Sequence, residues 1–209
     1  MMDYRLICTN HSHMHGNFIL FQLPGRSEGS AQIRSLAWRT RAAAPGTRVT
    51  FCWQRATSFV WGEQTELNGR HRFTICEDVP ADMDRDNAID LRSDEFGAPK
   101  FGPARAGQPS DSLTIRQMNA RFDHPVQHGI ALGGNALMAA PFHANVSTAF
   151  VISLHRYRIH FGDYEAGEAL NSAHLDHCHS IEFSAARPSL SVVLGPDNII
   201  RTREETRWP

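Results

Sequence analysis

The chain has 209 residues, 41% of them hydrophobic and 21% charged, with a formal net charge of −1. Such a composition describes an ordinary globular chain and excludes a low-complexity or collagen-like one. A pI of ≈ 6.9 leaves no broad basic footprint for nucleic acid or an anionic membrane surface. In chain order, strands are predicted at Tyr4 to Thr9 and Asn17 to Leu23, separated by a polar turn from His11 to Gly16. Further strands are expected at Gln32 to Trp38, Thr47 to Gln54, Ser58 to Gly62, Arg70 to Cys76 and Asn87 to Arg92. Val49, Phe51 and Trp53 alternate, and Phe59 and Trp61 continue the pattern, so they read as one apolar face of a strand pair. Pro45-Gly46 and Asn68-Gly69 are turn signals, the second being a strong hairpin cue because both residues accept positive φ.

Residues 94–111 hold three prolines and three glycines with little periodicity and read as a long loop covering a sheet edge. The second half continues with predicted strands at Leu113 to Gln117, Gly129 to Leu132, Ala136 to Ala140, Phe150 to Phe161, Ser180 to Phe183, Leu190 to Leu194 and Ile199 to Thr202. Helix has little to claim beyond a turn at Arg41 to Ala44 and another at Tyr164 to Leu170. The pattern predicts an all-β fold, a two-sheet antiparallel β-sandwich with jelly-roll or Greek-key connections. It is expected to form a single domain over residues 1–209, ending in a polar tail at 201–209.

The order of motifs resembles the RhiA-like, rhizosphere-expressed bacterial proteins. It runs through Asn10, Gly16-Asn17-Phe18, Phe21-Gln22, Ser35-Leu36-Ala37-Trp38, Thr50-Phe51-Cys52-Trp53 and Ser58-Phe59-Val60-Trp61-Gly62-Glu63. In the second half it takes in Gly129-Ile130-Ala131-Leu132-Gly133-Gly134, Tyr157-Arg158-Ile159-His160-Phe161-Gly162-Asp163-Tyr164, Gly167-Glu168 and Asp197-Asn198. The resemblance covers roughly residues 3 to 200. It implies a small all-β protein of plant-associated bacteria, under quorum-sensing control, and it supplies no catalytic residues to carry over. His11, His13 and His15 depart from the asparagine, serine or similar polar residues that such proteins carry there.

Twelve histidines are many for this length. His11, His13 and His15 alternate, and His174, His177 and His179 form a second group with Asp176 and Cys178 between them. Imidazole, thiolate and carboxylate are zinc, copper or nickel ligands, but the spacing matches no standard zinc motif. The two readings are an adventitious divalent-metal site and solvated loop histidines, and no resident cofactor is expected. Trp38, Trp53 and Trp61 are either a sugar-stacking platform or core residues. Glu63 and Asp163, with Glu165 and Glu168, are the acids to inspect for a hydrolase pair or for plain turn acids, so Trp61, Glu63 and Asp163 are the candidate ligand-binding residues. Arg156 and Arg158 fall on the strand face opposite Tyr157 and Ile159, and Trp208 lies on a charged tail. These three are the candidate self-association residues.

No nucleophile elbow, HExxH helix, phosphate loop or dinucleotide fingerprint is present. The expected function is therefore non-catalytic, by self-association into a homo-oligomer or filament or by surface recognition. A carbohydrate- or metal-binding module is the alternative and a hydrolase the second alternative. Nucleic acid and membrane insertion are not expected, since no apolar run approaches the ~20 residues of a bilayer span. Met1 to Arg5 lacks signal-peptide order. Cys8, Cys52, Cys76 and Cys178 show no close spacing, so a reducing cytoplasmic location is expected, with non-classical export left open.

Overall fold

A computed structural model describes residues 4–25, 32–107, 111–171 and 178–203. The first strands are β1 (Tyr4–Asn10), β2 (Gly16–Phe21), β3 (Arg34–Ser35), β4 (Arg39–Ala43), β5 (Arg48–Trp53) and β6 (Thr57–Leu67). Then come β7 (Arg70–Ala81), β8 (Ala88–Ser93), β9 (Pro99–Phe101), β10 (Ser112–Gln117), β11 (Val126–Leu132) and β12 (Asn135–Pro141). The last are β13 (Ser147–Val151), β14 (Arg156–Gly162), β15 (His179–Glu182), β16 (Ser189–Leu194) and β17 (Ile200–Thr202). The fold is an all-β sandwich. Hydrogen bonding divides it into four ladders of order β17-β16-β1-β5, β13-β10-β8-β9, β3-β12-β11-β6-β7 and β15-β14-β2-β4. Pairing is antiparallel except for β1 with β16 and β8 with β10.

Period-two patterning drives the burial. On β1, Tyr4, Leu6, Cys8 and Asn10 turn inward while Arg5, Ile7 and Thr9 turn out, because successive side chains of a strand point to opposite faces. One buried cluster takes residues from all four ladders, including Leu6, Leu20, Ile89 and Ile130. At its centre Trp38 stacks on Tyr157 with ring centroids 5.5 Å apart, and Trp53 meets Trp38 edge-on at 5.3 Å. Trp38 and Trp53 are thus core residues and form no surface platform. β5 and β6 belong to different ladders, so the apolar run through Val49 and Phe59 is not the face of one strand pair. Both strands bury that face, but each chooses a partner far away in sequence.

Three further elements differ from expectation. Arg39–Ala43 is an edge strand on β2, not a helical turn. The stretch expected as one strand from Phe150 to Phe161 is broken between β13 and β14, where Ser153 Oγ accepts from the Arg156 amide at 3.0 Å. Within 94–111, β9 extends the second ladder by pairing Leu91 with Phe101, so the proline-rich segment becomes the sheet edge itself.

The five-stranded ladder curls until one connector joins its two edges. Residues 167–170 hydrogen-bond to both sides: the Phe73 amide donates to Gly167 O at 2.9 Å and the Ala169 amide to His71 O at 2.8 Å on the β7 side. On the β3 side, the Leu170 amide donates to Ser35 O at 3.0 Å and the Gly167 amide to Ala37 O at 2.9 Å. The curl encloses a second small core of Leu36, Val60, Phe73, Ala131, Ala136 and Ala139. Curvature this tight demands Gly62, where a Cβ would sit 1.9 Å from Thr74 O beside a bulge in the β6–β7 register. The connector also occupies backbone groups that edge strands otherwise offer to another chain.

Candidate functional site

The connector is latched by acids and arginines that lie far apart in sequence. Arg70, at the start of β7, donates through Nη2 to Asp163 Oδ2 at 2.6 Å and through Nη1 to Asp163 O at 2.7 Å. Its Nη1 also lies 3.5 Å from Glu168 Oε2. Arg72 donates to Glu165 Oε2 at 3.0 Å. Glu168 is buried and accepts the Glu165 amide at 3.1 Å, closing the turn on itself. The Asp163 carboxylate holds the Arg70 guanidinium more firmly protonated than usual. The strands set these neighbours: β7 points Arg70 and Arg72 to one side, and the Arg72–Glu168 bridge fixes the register against the connector.

Beside this latch runs an open groove of ≈ 850 Å³, its walls including Arg34, Arg70, His71, His160, Asp163 and Glu168. A second groove of ≈ 590 Å³ lies on the outer face of β14 and β15, with Arg156 and Arg158 along its rim and Leu23 and Ile152 in its lining. Arg156 Nε is 3.2 Å from Glu182 Oε1, both side chains being well exposed. Arg158 donates to Ser180 Oγ.

Of the residues singled out by sequence, Asp163 lines the larger groove, while Trp61 and Glu63 do not. Trp61 Nε1 donates to Glu77 Oε2 at 2.6 Å, and Glu63 lies 3.5 Å from His124 Nε2. Of the acids considered for a hydrolase, Asp163 and Glu168 share Arg70, Glu165 holds Arg72, and Glu63 lies apart beside His124. His11, His13 and His15 are all exposed on a loop that Asn10 and Ser12 tie down from beneath. His179 Nε2 shares a 2.9 Å hydrogen bond with Thr202 Oγ1. His174, His177 and Trp208 lie outside the described residues. Among the described residues, no three His, Cys, Asp or Glu side chains stand together as a metal ion requires.

Two side chains of consequence carried no motif. His128 on β11 is completely buried, and among the described residues neither ring nitrogen has a hydrogen-bond partner. Its ring meets Phe150 edge-on at 5.8 Å. Burial, helped by His143, pushes its pKa down to about 3. Arg39 is a half-buried guanidinium whose buried Nε has no acceptor among the described residues. An odd polar residue within an apolar run, His128 before Gly129 to Leu132, is the only sequence sign of the first.

The family model described as RhiA matches residues 2–205, a span that includes the latch and the curl. The chain belongs to the RhiA family. No curated protein and no solved structure matches the chain. The RhiA chain therefore inherits a family and no assigned chemistry. Among its described residues, no helix is long and apolar enough to cross a membrane.

Proposed function

We propose that this RhiA protein acts without catalysis, as a β-sandwich that recognises a partner through the surface of its grooves. The observation that carries the reading is the pairing of Asp163, Glu165 and Glu168 with Arg70 and Arg72, of which Arg70, Asp163 and Glu168 line the larger groove. General acid–base or nucleophilic chemistry needs a carboxylate free to take or give a proton at a substrate. Here the carboxylates instead hold a connector in place. What they leave is a preorganised polar wall, the arrangement that favours binding because little side-chain freedom remains to be lost.

Self-association is the second form of the same reading, and Arg156 with Glu182 supports it. These opposite charges are exposed together on one sheet face, so a two-fold partner carrying the same patch can exchange the pair across an interface. Carbohydrate is the other occupant the larger groove suits, since charged planar groups with fixed donors and acceptors suit sugar hydroxyls. For either form, the setting consistent with the family is a bacterium's adaptation to a plant or to its own community.

Light scattering over a concentration series, paired with a glycan array, tests the proposal. Concentration-dependent mass that is lost in Arg156→Glu supports recognition of a second copy. Glycan binding that is lost in Arg70→Ala supports recognition of sugar. A monomer that binds no glycan, yet turns over a glycoside or ester in an Asp163-dependent way, refutes it.

A further inference from the structure

Arginine is nearly the only cation in this chain, and over much of the surface it is neutralised. Arg70, Arg72, Arg105, Arg116, Arg156 and Arg201 each hold a carboxylate oxygen at 2.5–3.2 Å. At the seam between β4 and β5 the pattern reverses. Arg39 lies with its Cζ 4.9 Å from the centroid of the Trp38 ring, and its Nη2 donates to Gly133 O at 3.2 Å. Arg41 stands two residues along the same strand, close enough that its charge acts on Arg39. Arg55, following β5, sits with its Cζ 5.5 Å from the Tyr4 ring centroid. Arg39 and Arg55 both act electrostatically on the same hydroxyl, that of Tyr157. Among the described residues none of these three arginines has a carboxylate partner.

Removing a guanidinium from water is costly unless a counter-charge and acceptors replace the solvent. The Trp38 ring and one carbonyl do part of this for Arg39, while the buried Nε gets nothing. Burial, and then repulsion from Arg41, both weaken Arg39's hold on its proton. The ring stack and the carbonyl bond also fix the plane of the fork before any ligand arrives. A fixed fork with a second cation two residues along the same strand is a geometry that receives a planar or tetrahedral oxyanion through paired N–H donors.

We propose that the β4–β5 seam is an oxyanion-binding site, in which Arg39, held on Trp38, acts with Arg41 to take the carboxylate or phosphate group of a small ligand. The site is separate from the two grooves, because none of the three arginines lines either of them. Cys52 is exposed on β5 and close enough to act electrostatically on Arg39, which makes its thiol a local reporter. Cys76, also exposed, lies on β7 in another ladder and serves as the internal control.

The test follows alkylation of Cys52 and Cys76 by peptide mass spectrometry in the full chain, with inorganic phosphate or galacturonate added and chloride as the ionic-strength control. At about 10 mM probe and a Kd of a few mM, Cys52 labelling slows about threefold or more while Cys76 is unchanged. The protection disappears in Arg39→Gln and in Arg41→Gln, the latter being an exposed position that leaves the core untouched. Protection by phosphate alone identifies a phosphate ligand, and protection by galacturonate alone identifies an acidic sugar. Protection by neither probe, or undiminished protection in the Arg41→Gln variant, overturns the proposal.

Discussion

Replacing His128 by leucine should stabilise the protein and remove much of its sensitivity to mild acid. The imidazole sits on a central strand with both nitrogens buried and unpartnered, so the folded state admits it only in its neutral form. An unfolded chain protonates the same ring near its ordinary pKa of 6.5, against about 3 when folded. The unfolded state therefore binds more protons between those values, and stability falls as pH drops through 6.5 and levels off below about 3. Between pH 7 and pH 5 this linkage removes about 2 kcal/mol. At pH 7 the variant gains a further ~1–3 kcal/mol, because leucine of similar volume leaves no polar atom without a partner. Urea midpoints of both proteins at pH 7, 6 and 5 test this. The exposed histidines contribute equally to both chains and cancel in the difference. A variant less stable than the parent at pH 7 would mean that buried water bonds the ring, and would refute the reasoning, as would parallel losses in the two proteins on acidification.

Other perturbations follow from the same geometry. Gly62→Ala places a methyl 1.9 Å from Thr74 O, and should cost about 3 kcal/mol or more in a denaturation experiment, or abolish soluble expression. Asn10→Ala removes a buried amide that accepts from Ser12 N and Oγ and donates to Met14 O and Ala43 O. A loss of about 2 kcal/mol is expected, against almost none for His13→Ala on the same loop. Arg201 holds the Asp197 carboxyl down to about 2. The turn before β17 should therefore keep its pairing as pH falls below the unfolded carboxyl range and lose it only near pH 2, as a carboxyl NMR titration would show. Arg201→Gln should return that titration to the ordinary carboxylate range.

Much of the architecture could be read from local patterning. Tyr4, Leu6 and Cys8 announce β1 by alternation alone, and Asn68-Gly69 marks the β6–β7 hairpin, both residues taking positive φ. What local patterning does not carry is partner choice: nothing near Phe51 says that β5 lies against β1, or that Phe59 joins another ladder. Arg39 to Ala43 contains good helix formers, and it becomes a strand because β2 offers an unpaired edge. The candidate site shows the same division. Asp163 stands out as an acid after glycine, but its role depends on Arg70, brought to it by the curl of a sheet. His128 and Arg39 are marked by missing partners, a property that exists only in the folded molecule.

The parallel pairing of β1 with β16 sets Arg5 opposite Ser189 and Asn10 opposite Leu194. During synthesis β1 leaves the ribosome with its β5 neighbour soon available, but its other neighbour, β16, follows only after β2 to β15 have been made. Nascent chains must therefore carry an open, apolar β1 edge until β16 has emerged, an interval in which chaperone binding or aggregation competes with maturation. A chain terminated before Ser189 would keep most of its ladders and still be unable to close.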